Sequence, residues 1–228
     1  MLVRRSPIGT GPRSRIPSRM MLAELEAWLS SSGAPAAIVQ AGATVLRRRA
    51  SDVPRSLLGT PALTQLVEIM VETMRAAPGV GLAAPQIGIP LRLFVAEDDE
   101  ERLQRVAPES LAVRRRTPLP LTVVVNPKIE VVAGDEEIFY EGCLSVRGYG
   151  ALVGRAVAVK VRGVDSRGEA VSFRVEGWPA RIMQHEGDHL EGTLYVDRMI
   201  ARSLASAVVM ARLSGLPVSE VIRELVER

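Results

Sequence analysis

Apolar positions along the chain follow two periods. Between residues 60 and 77, Leu63, Leu66, Val67, Met70, Val71 and Met74 keep the three-and-four spacing of a helix face. Thr60 suits the cap of that helix, Pro61 its first turn, and Pro78-Gly79 its end. A shorter helix is predicted over residues 20–31, stopping near Gly33. Residues 91–96 read as a strand, and residues 121–132, 136–140, 152–162 and 169–175 carry strand signals in series. Val164-Asp165-Ser166-Arg167-Gly168 predicts a hairpin turn between the last two. Helical spacing returns over 178–191, with Gly192 suited to the C-terminus. The charged, proline-containing segment 97–120 is expected to be an exposed excursion. The tail, 203–227, is expected to be helical with a break near Gly215-Leu216-Pro217. Helices and antiparallel strands are segregated rather than alternating, which predicts an α+β fold.

Composition narrows the function classes. At 228 residues and 47% hydrophobic, the chain can bury a substantial core. No stretch approaches the roughly 20 unbroken apolar residues of a membrane helix, so no membrane partner is expected. Net charge is only +3, and lysine occurs only at Lys128 and Lys160. The runs Arg47-Arg48-Arg49 and Arg114-Arg115-Arg116 are short enough to read as solvated loop charges. Aromatic content of 4% leaves few stacking platforms, and no direct nucleic-acid readout is expected. Residues 1–19 hold five arginines, three prolines and no acidic residue. They read as a poorly ordered extension, either upstream of a true start at Met20 or Met21 or serving as an organelle targeting arm. The expected organisation is a basic extension over 1–20, one main domain over 21–200 and a helical tail over 201–228.

The candidate chemistry is concentrated in few residues. A single cysteine, Cys143, cannot form an intrachain disulfide and is free to be ligand, nucleophile or core residue. The only histidines are His185 and His189, in Gln184-His185-Glu186-Gly187-Asp188-His189. This is an H-E-x-x-H pattern: imidazoles four apart share a helix face and can reach one ion, while the glutamate can reach a water beside it. Val175, Trp178, Ile182 and Leu190 supply apolar cover. A catalytic ion with an open position for water needs a third protein ligand. Of the downstream carboxylates, Glu220 sits near the C-terminus and Asp197 follows the helix so soon that reaching back is strained. Cys143 is better placed, after a strand and behind Gly142, although a lone cysteine is also a common small core residue. The residues alone leave this open.

Three segments together resemble the peptide deformylase family. They are Gly79-Val80-Gly81-Leu82-Ala83-Ala84-Pro85-Gln86-Ile87-Gly88, Glu141-Gly142-Cys143-Leu144-Ser145, and Gln184-His185-Glu186-Gly187-Asp188-His189-Leu190. The resemblance runs from about residue 37 to 200. It implies antiparallel sheets packed around a central metal-binding helix, and removal of the formyl group from N-terminal formylmethionine of new polypeptides, with release of formate. It implies Cys143, His185 and His189 as metal ligands, and Glu186 as the proton-transferring group. It also implies the Gln86 side-chain amide and the Leu144 backbone N–H as donors to the formyl oxygen. The implied ion is Fe2+, with zinc, nickel or cobalt accepted, because thiolate and imidazole suit all of these. An extended substrate is expected along Val80, Gly81 and Gly142, with Val80, Trp178, Arg181 (through its stem) and Ile182 lining a methionine slot.

The resemblance further implies formylated nascent peptides as partners, with the ribosome as a further one. The expected location is the bacterial cytoplasm, or an organelle if the basic arm directs import. Gly187 stands where a larger residue is common and is expected to widen the adjacent space. Gly150 stands where some bacterial members carry arginine, and residues 217–228 lack a strongly basic helix for ribosome docking. Glu141 and Arg155 are expected either to pair behind the ligands or to form a surface ion pair. Two other functions fit parts of the pattern: a zinc peptidase built on H-E-x-x-H, and a binding protein without turnover. The first lacks a convincing downstream ligand, and the second leaves five intact chemical positions unexplained.

Overall fold

The computed structural model describes residues 18–132, 134–213 and 216–225. In chain order the elements are α1 (Ser18–Ser31), α2 (Pro61–Ala76), β1 (Gly81–Ala83), β2 (Leu93–Asp98), α3 (Glu100–Leu103) and α4 (Pro108–Val113). These are followed by β3 (Leu119–Val131), β4 (Glu136–Cys143), β5 (Val146–Ala156), β6 (Ala158–Val164), β7 (Ala170–Glu176) and α5 (Gly177–Leu190). The chain ends with β8 (Ala205–Ser206), α6 (Ala207–Leu213) and α7 (Val218–Leu225). The expectation for the basic arm falls on residues 1–17, outside the described residues, as does Gly215 in the predicted tail break.

Two antiparallel sheets form, one in the order β1-β2-β3-β6-β7 and one in the order β4-β5-β8. The larger sheet is covered on both faces. Along β2, Leu93 and Val95 join a core with α1 and α2, while Phe94 and Ala96 join a core with α5. Strand side chains alternate sides, so a strand covered twice reads as an unbroken apolar run. Helix α2 buries Leu63, Leu66, Met70, Val71 and Met74 as its spacing predicts. Thr60 Oγ1 accepts from the Leu63 N–H at 3.3 Å, and Pro61 opens the helix.

The predicted strand 152–162 is two strands in two sheets. Its one glycine, Gly154, lies inside the first of them, and the apolar run Ala156-Val157-Ala158-Val159 holds no glycine or proline to mark the break. At Val157 the chain leaves the ladder: its N–H donates to Asp135 O at 3.1 Å, and its carbonyl accepts from Gly177 N at 2.8 Å. The stretch 146–151 is also strand, hidden in the sequence by Gly148 and Gly150. The predicted run 121–132 is irregular at Asn126, whose φ is 52°. Its side chain bonds both the N–H and the carbonyl of Val53, at 2.8 and 2.9 Å.

The segment 97–120 is not merely an exposed excursion. It contains α3 and α4, and its two ends are clamped by Arg116 donating to fully buried Asp98 at 2.7 and 2.9 Å. Within the Arg114–Arg116 run, Arg116 and half-buried Arg114 are therefore not solvated loop charges, whereas Arg115 stays exposed as expected. Arg114 lies 4.9 Å from the Trp178 ring centroid and Arg115 pairs with Glu137. Arg47 and Arg49 likewise pair at the surface, with Asp197 and Glu191.

Gly192 ends α5 with φ at 75°, the left-handed region. A Cβ there would stand 2.9 Å from the backbone carbonyl carbons of Arg47 and Arg48. The left-handed conformation alone costs a non-glycine residue about 1–2 kcal/mol. Gly192→Ala is expected to lower unfolding stability by at least that amount in urea titration. Gly33→Ala, where a Cβ would meet nothing within 4 Å, should stay within about 0.5 kcal/mol of the parent.

Candidate metal centre

Helix α5 lies between the sheets, against β1, β2, β3, β6 and β7 on one side and β5 on the other. Its apolar face, with Ala180, Ile182, Met183 and Leu190, packs on the large sheet with Val175 and Trp178. That packing turns His185, Glu186 and His189 toward the end of β4. Strand β4 finishes at Cys143 through an irregularity between Gly142 and Cys143, where Cys143 pairs with Val146 in a tight return into β5. A thiol from one sheet thereby meets imidazoles from the helix.

The ligand-capable atoms of Cys143, His185 and His189 all lie within 4.8 Å of one another. Cys143 Sγ is 3.3 Å from His189 Nε2. A tetrahedral ion bound to sulfur at about 2.3 Å and nitrogen at about 2.0–2.1 Å separates those atoms by roughly 3.5 Å. The donor set and its spacing fit a single divalent ion with one position left over. His185 Nδ1 faces Glu141 Oε2 at 3.0 Å, which leaves Nε2 as the atom turned to the sulfur. Tyr195 stacks on the His185 ring at 6.4 Å with a 19° tilt.

Behind His185 runs a buried charge network. Arg155 donates twice to Glu141 at 2.9 Å and once to Asp188 at 2.5 Å. Arg181 donates to Glu141 at 2.7 Å, and Arg198 grips Asp188 at 2.7 and 2.8 Å. Glu141, Arg155 and Arg181 are all buried, so the Glu141–Arg155 pair is no surface contact. Burial pushes the Glu141 carboxyl up, but the bonds from Arg155 and His185 outweigh it and hold it well below the usual carboxylate range. For His185, burial pulls the other way, and the bonds to Cys143 and Glu141 carry it well above its usual value. Burial and the neighbouring His185 push His189 well below it.

Glu186 has no such company. Its Oε2 is buried without a hydrogen-bond partner among the described residues, and burial raises its carboxyl to about 7. Gly81 makes this possible, since a Cβ there would come within 2.6 Å of Glu186 Cδ. Gln86 is fixed by the Ala83 N–H, which donates to Oε1 at 2.8 Å. That turns its Nε2 toward Ser145 Oγ at 3.3 Å and Cys143 Sγ at 3.6 Å.

Val80, Gly81, Gln86, Gly142, Cys143, Leu144, Trp178, Arg181, Ile182, His185 and Glu186 line one cleft of about 390 Å³. His189 lies behind this lining, buried within ligand reach of Cys143. Arg181 borders the cleft, but its guanidinium turns inward to Glu141, Val153 O and Glu137 O. Gly187 does not open space beside the ligands. It faces β3, where a Cβ would run into Ile129 Cδ1 at 2.5 Å. Sequence reasoning did not find Ser145, Tyr195, Asp188, Arg198, Ala207 or Met210. Only Ser145 and Asp188 carried a signal, by lying inside the cysteine and histidine segments.

The comparisons with known proteins agree with this geometry. Residues 35–204 match the polypeptide deformylase family. A peptide deformylase of Streptomyces avermitilis is 46% identical over 211 residues, covering 92% of each chain. A chloroplastic peptide deformylase of Solanum lycopersicum is 46% identical over 166 residues, which is 73% of this chain and 60% of that protein. The crystal structure of an Acinetobacter baumannii peptide deformylase with Met-Ala-Ser bound superposes with a TM-score of 0.65 at 34% identity, covering 74% of this chain and 99% of that one. The chain belongs to the polypeptide deformylase family, metal-dependent hydrolases that remove the formyl group from the N-termini of new polypeptides.

Proposed function

We propose that Cys143, His185 and His189 hold one divalent ion, Fe2+ in the native protein, and that Glu186 moves the proton in formyl removal. The observation that carries this reading is the convergence of three ligand atoms within 4.8 Å beside a buried, unpartnered carboxylate oxygen. Thiolate and imidazole also accept zinc, nickel or cobalt, so other ions can replace iron. A bound ion supplies Lewis acidity, lowering the pKa of water and polarising a carbonyl.

The remaining work falls to the chain. The formylated peptide lies extended beside Val80, Gly81 and Gly142, whose small or absent side chains let its backbone approach. Trp178, Ile182, Val80 and the Arg181 stem accept the methionine side chain. The Gln86 amide and the Leu144 N–H point at the formyl oxygen, where negative charge develops. Glu186 takes a proton from the attacking water, and its raised affinity for protons suits that task near neutral pH. It then delivers the proton to the departing amine nitrogen. The formyl C–N bond breaks, giving formate and a free N-terminus.

The catalytic unit is assigned to residues 21–200, with 201–228 as a tail. Formylated nascent chains as substrates point to the bacterial cytoplasm, and the chloroplastic relative makes an organelle the alternative. No described helix is long and apolar enough to cross a membrane. Contact with the ribosome would place the enzyme near its substrate. The tail offers little charge for it, because Arg223 in α7 is flanked by Glu220 and Glu224.

Glu186→Ala is expected to keep its metal and lose about 10²–10⁴-fold in formate release from formyl-Met-Ala-Ser. Unchanged turnover at full metal content would remove Glu186 from the mechanism. Glu141→Ala strands two buried guanidiniums and frees the His185 ring. It should weaken metal retention about 10–100-fold in chelator competition and lower unfolding stability by about 3–5 kcal/mol. A parent-like chelator midpoint would show that Glu141 does not orient the ligand.

A further inference from the structure

We infer that Met210, on the C-terminal helix α6, is a specificity-determining residue that receives the side chain of the substrate residue following methionine and favours apolar ones there. This rests on the deformylase reading and extends it to a segment beyond residue 204, where the family match ends.

The tail returns to the cleft by pairing. Strand β8 adds to β5 with Tyr149 opposite Ser206 and Gly150 opposite Ala205. On its other side Gly150 pairs with Gly142, the residue before Cys143. The tail thus sits one strand away from the thiol. Helix α6 starts at the next residue, and Ala207 and Met210 line the same cleft as Gly142, His185 and Glu186.

Gly150 explains how the methionine gets there. A Cβ at 150 would overlap Met210 Sδ and lie 3.2 Å from its Cε. The thioether therefore fills the place a side chain at 150 would take, and at this point the tail supplies the wall of the cleft that β5 leaves open. Tyr140, Val146, Tyr149 and Ala207 line the same cleft, and no charged side chain from the tail is among its lining residues. A half-buried, unbranched thioether adapts to apolar groups of varied shape.

The side of the groove fixes which substrate residue it meets. The residues assigned to the methionine slot, Val80, Trp178 and Ile182, pack in the core under the large sheet. Met210 packs in the separate core of the small sheet with Tyr140, Leu152 and Leu213. Successive side chains of an extended peptide point to opposite sides. If methionine enters the first wall, the next residue faces the second.

The test compares formyl-Met-Leu-Ser with formyl-Met-Ala-Ser. In Met210→Ala, kcat/KM for the leucine peptide should fall relative to the alanine peptide by about fivefold or more, mainly through KM. A ratio within about twofold of the parent overturns the assignment. Because Met210 also packs on Tyr140 and Leu152, a second measurement uses the unaltered chain. The methyl-¹³C resonance of Met210, identified by its loss in Met210→Leu, should shift on titration with Met-Leu-Ser and shift less with Met-Ala-Ser. No shift with either peptide overturns the assignment as well. If the parent protein hydrolyses neither formylated peptide, the deformylase reading fails instead, and the resonance titration, which needs no turnover, still decides the case for Met210.

Discussion

A buried carboxylate surrounded by cations organises this molecule. Glu141 sits one residue from the start of the irregularity in β4 and receives Arg155 from β5, and Arg181 and His185 from α5. None of these groups can be buried alone without a penalty of several kcal/mol. Together they tie three elements at one point. Asp188 and Arg198 extend the network from α5 into the segment that follows it. The consequence for chemistry is indirect but large, because the anion that neutralises the guanidiniums also sets which nitrogen of His185 is turned toward the thiol.

Strands that face two environments carry the rest of the arrangement. In β5, Leu152 points into the tail core, while Ala151 and Val153 point to the side holding Tyr195 and Cys143. In β2, one set of side chains supports α2 and the other supports α5. The helix that carries His185 and His189 is therefore held by both sheets. Glu186 is buried because β1 passes directly over it, with a glycine at the point of closest approach.

Much of this was legible in the chain. The helix spacing from Leu63 to Met74, the hairpin at residues 164–168, the helix over 178–191 and the segregation of helices from strands follow from apolar period and turn chemistry. The histidine motif announces a shared helix face by itself. The thiol did not announce itself: its meeting with the helix is a tertiary event, and local pattern leaves Cys143 open between ligand and core residue. The break at Val157 was hidden for a related reason, since its backbone partners come from Asp135 and Gly177, both distant in the chain. The Arg114–Arg116 run misleads in part, because charge alone suggests solvent, whereas Asp98 draws Arg116 inward and the Trp178 ring draws Arg114. Met210 carried no signal, because a methionine in a tail helix resembles any other packing residue.

The two rims of the five-stranded sheet are built for opposite ends. Strand β1 is three residues long and recessed, so its unpaired rim offers only a short template, set beside the cleft. Strand β7 is longer and its rim is open, but it carries Arg174 and Glu176, both exposed. Charged rims discourage the addition of foreign strands, and short ones limit how far such addition can spread. Brevity guards one rim of the sheet against such growth, and charge guards the other.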